Sequence, residues 1–178
     1  GLTGPLIDIG QRIMTARERS SGADANSRLH ARLRLSNAKL TNGQVVEAEA
    51  DLLAILVDAE TAGLQRHETS WSARDLLAQA QIEQGKLDEA RTLAESNLEL
   101  ALLIPGKPNL HQSSLHSLGY IAARSQQGDK ALDYFKQAAA LITDENHPRY
   151  IGAQLNLAAS LGVAGRIEEA LAINERLL

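Results

Sequence analysis

The sequence predicts an all-α fold, an α-solenoid of antiparallel helix hairpins with about nine helices in a single repeat domain over residues 1–178. Three observations carry this expectation. A small residue recurs at Ala48, Ala90, Ala131 and Ala170, separated by 42, 41 and 39 residues, each time early in an apolar stripe of helical period. A glycine stands five residues before three of these alanines, at Gly43, Gly85 and Gly165, where one helix would end and its partner begin. Finally, the chain is 44% apolar with only one Trp, three Tyr and one Phe, so alanine and leucine must fill its core, which favours helix over sheet.

In chain order, Pro5 opens a helical pattern that continues through Leu6, Ile9, Ile13 and Ala16. This helix, residues 5–19, has no partner of its own and reads as the second half of an upstream repeat. Residues 20–26 have loop composition, with Asn26 or Ser27 as the expected N-cap of the next helix. Four repeats then follow, over 27–62, 68–104, 109–142 and 148–178. The first pairs Leu29, Leu33, Leu35 and Ser36 with Ala48, Leu52, Ile55 and Leu56. The second runs from Trp71, Leu77 and Ala78 through Gly85 to Leu87 and Ala90, with Trp71 as an expected core anchor. The third sets Leu115, Leu118, Gly119 and Ala122 against Ala131, Leu132, Phe135 and Ala138. In that repeat Gly128 stands only three residues before the alanine, which predicts a longer first helix or a tighter bend. The fourth sets Leu155, Asn156, Leu157, Ala158 and Leu161 against Gly165, Ala170 and Leu171. Pro105, Pro108 and Pro148 fall in connections between hairpins, where proline can begin a helix but not continue one.

Composition also excludes classes of function. The net charge of −4 argues against general nucleic-acid binding, which needs a basic surface. The charge is uneven: residues 1–40 carry net +4 and residues 41–178 net −8, with Arg28, Arg32 and Lys39 able to share a helical face. No uninterrupted apolar run of about 18 residues occurs, and the first residues lack the basic-then-apolar pattern of a secretory signal, so no membrane association is expected. The absence of cysteine removes disulfides and thiolate chemistry and fits a cytoplasmic setting.

The repeating pattern resembles the tetratricopeptide repeat. Leu118-Gly119 with Ala131, Phe135 and Ala138 matches its second helix best, and Asn156-Leu157-Ala158 with Gly165 and Ala170 its first. The units exceed the usual ~34 residues. With Asn146-His147-Pro148 ahead of a first helix, they look most like the long kinesin-light-chain type, also used by bacterial regulatory proteins. The resemblance covers residues 27–178 and implies a right-handed superhelix whose first helices line a concave surface. Carried onto this chain, it points inward His30, Arg34 and Asn37, then Ser72, Asp75 and Gln79, then Ser113, His116, Tyr120 and Arg124, then Asn156. Amides there can bond an extended peptide backbone through both donor and acceptor, and Arg can fork onto a carboxylate. The carboxylate clamp that some members use for chaperone tails is not matched, because Leu33, Leu76, Ser113 and Ser117 stand where its Lys, Asn, Lys and Arg belong, and only Asn37 fits.

Enzyme and cofactor motifs are missing from the sequence. His67-Glu-Thr-Ser-Trp71 begins like a zinc-protease motif but has Trp71 in place of the second histidine, and His111 and His116, five apart, do not share a helix face. Gly106-Lys107 leads into Pro108 without the upstream glycine of a phosphate-binding loop. Acid pairs such as Glu168-Glu169 fall in first helical turns, where the helix dipole accounts for them. No catalytic residue, metal or cofactor is expected. The leading expectation is a non-enzymatic protein–protein interaction module that holds a peptide or partner domain in its groove. The alternative is a ligand- or signal-peptide-sensing segment of a bacterial transcription regulator or kinase. The apolar pair Leu177-Leu178 suggests an uncapped solenoid end. From it follow two expectations, a fragment of a longer protein and possible self-association through the ends.

Overall fold

Five helix ends share one hydrogen-bond pattern, four in the turns within hairpins and a fifth after residue 61, where Gly63 N–H donates to Glu60 O and Leu64 N–H to Ala59 O. In the computed structural model, which describes residues 24–104 and 106–178 together with Asp8, Arg12 and Thr15 singly, eight α-helices are defined. They are α1 (Ala25–Thr41), α2 (Val45–Thr61), α3 (Glu68–Glu83), α4 (Leu87–Leu103), α5 (Pro108–Arg124), α6 (Gly128–Ala140), α7 (Tyr150–Val163) and α8 (Ile167–Arg176). No strand occurs among the described residues. The helix expected over residues 5–19 lies outside them, apart from Asp8, Arg12 and Thr15, which are helical.

Each turn closes with two nested bonds that satisfy carbonyls at the helix end. After α1, Gly43 N–H donates to Leu40 O and Gln44 N–H to Lys39 O, both at 2.9 Å. After α3, Gly85 N–H reaches Ile82 O at 3.1 Å and Lys86 N–H reaches Gln81 O at 2.9 Å. After α7, Gly165 and Arg166 repeat the pair with Gly162 and Leu161 at 3.1 and 2.9 Å. The turn requires a left-handed residue, and Gly43, Gly85 and Gly165 supply it at φ +78°, +77° and +76°.

The third hairpin differs in residue type and not in geometry, which corrects the expected longer helix or tighter bend. After α5, Gln126 N–H donates to Ala123 O at 3.1 Å and Gln127 N–H to Ala122 O at 2.9 Å, with Gln126 at φ +58°. Gln126 thus holds the place five residues before Ala131. Gly128 instead begins α6.

The helix starts bring a second correction. Asp24 caps α1, its carboxylate accepting the Ser27 N–H at 2.6 Å, and Asn26 lies inside the helix. The Asn26 side chain is used elsewhere, because its Oδ1 accepts the Thr69 hydroxyl at 2.6 Å and ties the start of α1 to the start of α3. His67 caps α3 by accepting the Thr69 N–H on Nδ1 at 3.2 Å. His147 does the same for the Arg149 N–H ahead of α7, at 3.1 Å.

The fold divides into two compact units, Gly1–Leu93 and Ala94–Leu178, with the boundary inside α4. In the first, Leu29 and Leu33 of α1, Leu52, Ile55 and Ala59 of α2, and Ala73 and Leu77 of α3 form one core. Burying each large aliphatic side chain there contributes about 1.5–3 kcal/mol. Trp71 is buried in this unit, as its place at the start of α3 predicts. At the rim, Glu49 accepts from Lys86 Nζ at 2.9 Å and from Gln84 Nε2 at 2.7 Å, joining α2 to the turn after α3. Those hydrogen bonds, Lys86 first and Gln84 second, hold the Glu49 carboxyl below its ordinary range.

In the second unit α6 packs on α5, α7 on α6 and α8 on α7. Phe135 joins Ala122 and Ala131 in one cluster, and Leu132 joins Ala158, Leu161 and Ala170 in another. A third gathers Ala139, Ile142, Tyr150 and Ala153. Across both units, Ser36, Ala78, Gly119 and Ala158 on first helices each precede by 12 residues the small residues Ala48, Ala90, Ala131 and Ala170, and all eight are buried. Gly119 shows why size matters there, because a Cβ on it would lie 2.7 Å from Phe135 Cε1. The ring occupies the space that the missing side chain leaves.

Candidate functional site

First helices carry polar side chains at spacings that keep them on one face. In the first unit His30, Arg34 and Asn37 stand at i, i+4 and i+7 on α1, and all three are exposed. On α3, Ser72 and Asp75 are half-buried and Gln79 is exposed, at i, i+3 and i+7. Helices α1 and α3, which carry these two rows, touch each other.

The second unit has more structure at its site. On α5, Ser113 and His116 are half-buried while Tyr120 and Arg124 are exposed, and on α7 Asn156 is half-buried. Asn156 Nδ2 lies 2.7 Å from His116 Nε2, linking α7 to α5. That bond calls for the unprotonated ring nitrogen as acceptor. The imidazole is also enclosed by Tyr120 and Phe135, at ring-centre distances of 5.7 and 5.8 Å. Burial, and second the charge of Arg149, lower the His116 pKa below that of an ordinary imidazole. Ser113 is drawn into the framework as well. Arg149, at the start of α7, donates through Nη1 to Ser113 Oγ and Gln112 Oε1, both at 3.3 Å.

Beside the His116–Asn156 bond lies an open cleft of about 620 Å³, with Tyr120 and Arg124 of α5 among its lining residues. Ala123, Ala131, Phe135, Ala159 and Val163 provide most of the remaining wall. Gln126, Gly128, Asn156 and Ser160 complete it, and among these described lining residues Arg124 is the charged one. Such a volume falls within the ~300–1,000 Å³ of small-ligand pockets.

Of the residues singled out from sequence, the structure therefore groups His116, Tyr120, Arg124 and Asn156 at or beside one cleft. His30, Arg34, Asn37, Ser72, Asp75 and Gln79 lie in the other unit, and Ser113 faces Arg149. Sequence reasoning missed Arg149, Gln126 and the alanine wall. Helical spacing could have flagged Ala159 and Val163 as continuing the face of Leu155 on α7, but nothing local announces Arg149. Among the described residues no group of three or more His, Asp or Glu side chains is placed to hold a metal ion, and no helix is long and apolar enough to cross a membrane.

Comparison with known proteins places these observations in a wider set. A tetratricopeptide repeat family model matches residues 71–96 and 151–176. No curated protein sequence matches the chain. Among solved structures, BtubC (BKLC) from P. vanneervenii superposes with a TM-score of 0.81 at 16% identity, over 99% of this chain and 72% of that one. A candidate kinesin light chain from Podosopora anserina, with nearly identical TPR-like repeats, gives a TM-score of 0.72 at 21% identity, over 98% and 85%. The MamA protein gives 0.60 at 17% identity, over 97% and 88%. At these identities the likeness is one of fold, and the fold is that of tetratricopeptide-like, kinesin-light-chain-type repeats.

Proposed function

We propose that this chain of tetratricopeptide-like repeats is a non-enzymatic protein–protein interaction module that binds a peptide or partner domain along the faces of its first helices. The observation that carries the reading is the exposed polar row on those helices. His30, Arg34, Asn37 and Gln79 stand open in one unit, and Tyr120 and Arg124 stand open in the other. Amide and guanidinium groups so placed can pair with an extended backbone and with acidic side chains. His116, Asn156 and Ser113 serve this surface indirectly, by holding α5 and α7 in register. A cytoplasmic setting is part of the proposal.

The experiment is selection from a random peptide library on the immobilised chain, followed by fluorescence anisotropy on selected peptides. The wild type is compared with an Asn37→Ala, Gln79→Ala, Arg124→Ala variant whose helicity is unchanged. Loss of about tenfold or more in affinity supports the reading, since each charged or amide contact contributes about 1 kcal/mol or more. Selected peptides that bind both proteins equally would move the interaction away from these faces. The second reading, a ligand-sensing segment of a bacterial regulator or kinase, draws its support from the 620 Å³ cleft. Self-association draws on the exposed Ile167 and Leu171 of the last helix. Light scattering that gives a monomer at high concentration would remove that option.

A further inference from the structure

We infer that the cleft between α5, α6 and α7 is a binding site for an apolar carboxylic acid, with Arg124 holding the carboxylate and the alanine-rich wall enclosing the apolar body. The walls of the cleft and the charge of Arg124 define this chemistry. Ala123, Ala131, Phe135, Ala159 and Val163 offer surface that gains only from an apolar group. Arg124 is exposed at the end of α5, and it is the charged side chain among the described lining residues, so no carboxylate of the wall competes for it. Its planar fork matches a carboxylate with two parallel bonds, which a point charge does not offer. An anion without an apolar body would leave the wall in water. An apolar molecule without an anion would leave the guanidinium unused.

The floor is built to keep its shape. His116 and Asn156 bond each other at 2.7 Å, and Phe135 is seated on Gly119, so these groups do not swing into the space. The Tyr120 hydroxyl, the Gln126 amide and Ser160 are the remaining polar groups with which such a ligand can bond. The site shares Tyr120 and Arg124 with the peptide-binding reading but none of its first-unit residues, and a free acid can occupy it without a partner protein. The same chemistry can also come from the last residue of a protein that ends in an apolar side chain, and the test separates the two sources.

Isothermal titration of the whole chain with 4-phenylbutyrate, its primary amide and acetate tests the chemistry. An acid of this size is expected to bind with Kd on the order of 1 mM or tighter. The amide and acetate should each bind about tenfold or more weakly, as should 4-phenylbutyrate to Arg124→Gln or to Ala159→Phe, which fills the cleft. Both substitutions lie at exposed positions, and circular dichroism checks that each variant keeps its helicity. A short peptide ending in leucine, as free acid and as amide, forms the other arm. Carboxylate-dependent binding in either arm, lost in both variants, supports the site and names its source. Equal binding of acid and amide, affinity within about twofold in both variants, or no binding in either arm overturns it. An Asn37→Ala, Gln79→Ala variant, which keeps Arg124, should bind 4-phenylbutyrate as the wild type does, so failure of the peptide-binding reading is read separately from failure of this one.

Discussion

Gln126 holds a backbone conformation that its own side chain opposes, and replacing it with glycine should stabilise the protein. Its φ of +58° lies in the left-handed region, where a Cβ crowds the following carbonyl at a cost of about 1–2 kcal/mol. Glycine would remove that cost while adding about 0.5–1 kcal/mol of chain entropy to the unfolded state. The net gain for Gln126→Gly is then about 0.5–1 kcal/mol. The exposed side chain loses no packing, and the two turn bonds to Ala122 and Ala123 run through backbone atoms that the change leaves intact. In thermal unfolding followed by circular dichroism, a gain of this size is a rise of roughly 1–4 °C for a chain of this length. Two controls separate backbone from side chain. Gln126→Ala keeps the Cβ and should change little. Gly85→Gln, in the equivalent turn at φ +77°, should destabilise by about 1 kcal/mol. A Gln126→Gly protein no more stable than wild type, beside a destabilised Gly85→Gln, would refute the equivalence of the two turns.

Other substitutions probe packing and charge. Gly119→Ala places a methyl about 2.7 Å from Phe135 Cε1 and should cost about 1–3 kcal/mol in urea unfolding, with Phe135→Leu in the same chain restoring part of it. Glu49→Gln should lower the urea midpoint at neutral pH by the equivalent of about 0.5–1 kcal/mol, because Lys86 is partly exposed. Since the Glu49 pKa is lowered in the fold, its contribution is present above the ordinary carboxylate value and disappears as pH falls through the lowered one. Wild type and variant should therefore converge in acid. The His116 pKa is also lowered, but His is a base, so the unfolded chain takes up the proton first. Stability should fall as pH drops from about 6.5 towards the lowered value, and His116→Gln should flatten that segment of the pH profile.

Where the local sequence contains the cause of a structure, the structure is legible in advance. Gly43, Gly85 and Gly165 announce their turns because glycine is the residue that the left-handed position favours. The third turn is hidden because Gln126 fills that position against its preference, held there by the same pair of backbone bonds, while Gly128 offers a false landmark. Asn26 has the residue type of a cap, but its partner, Thr69, is 43 residues away and leaves no mark on the neighbourhood of Asn26. The candidate site divides in the same way. Helical spacing brings His116, Tyr120 and Arg124 to one face of α5. The bond from Asn156 to His116 and the Arg149 contact with Ser113 depend on how α7 meets α5, which periodicity within either helix does not encode.

The scarcity of aromatic residues that leaves alanine and leucine to fill the core also gives the molecule a natural optical label. Its single tryptophan, Trp71, is buried in the first unit, and its three tyrosines, Tyr120, Tyr134 and Tyr150, all belong to the second. Emission excited at the red edge of the indole band therefore watches one half of the repeat array, and near-ultraviolet tyrosine absorbance watches the other. Coincident denaturation curves from the two signals would mean that the halves melt as one cooperative body, and separated curves would give each its own stability without a dye, a tag or a cut in the chain.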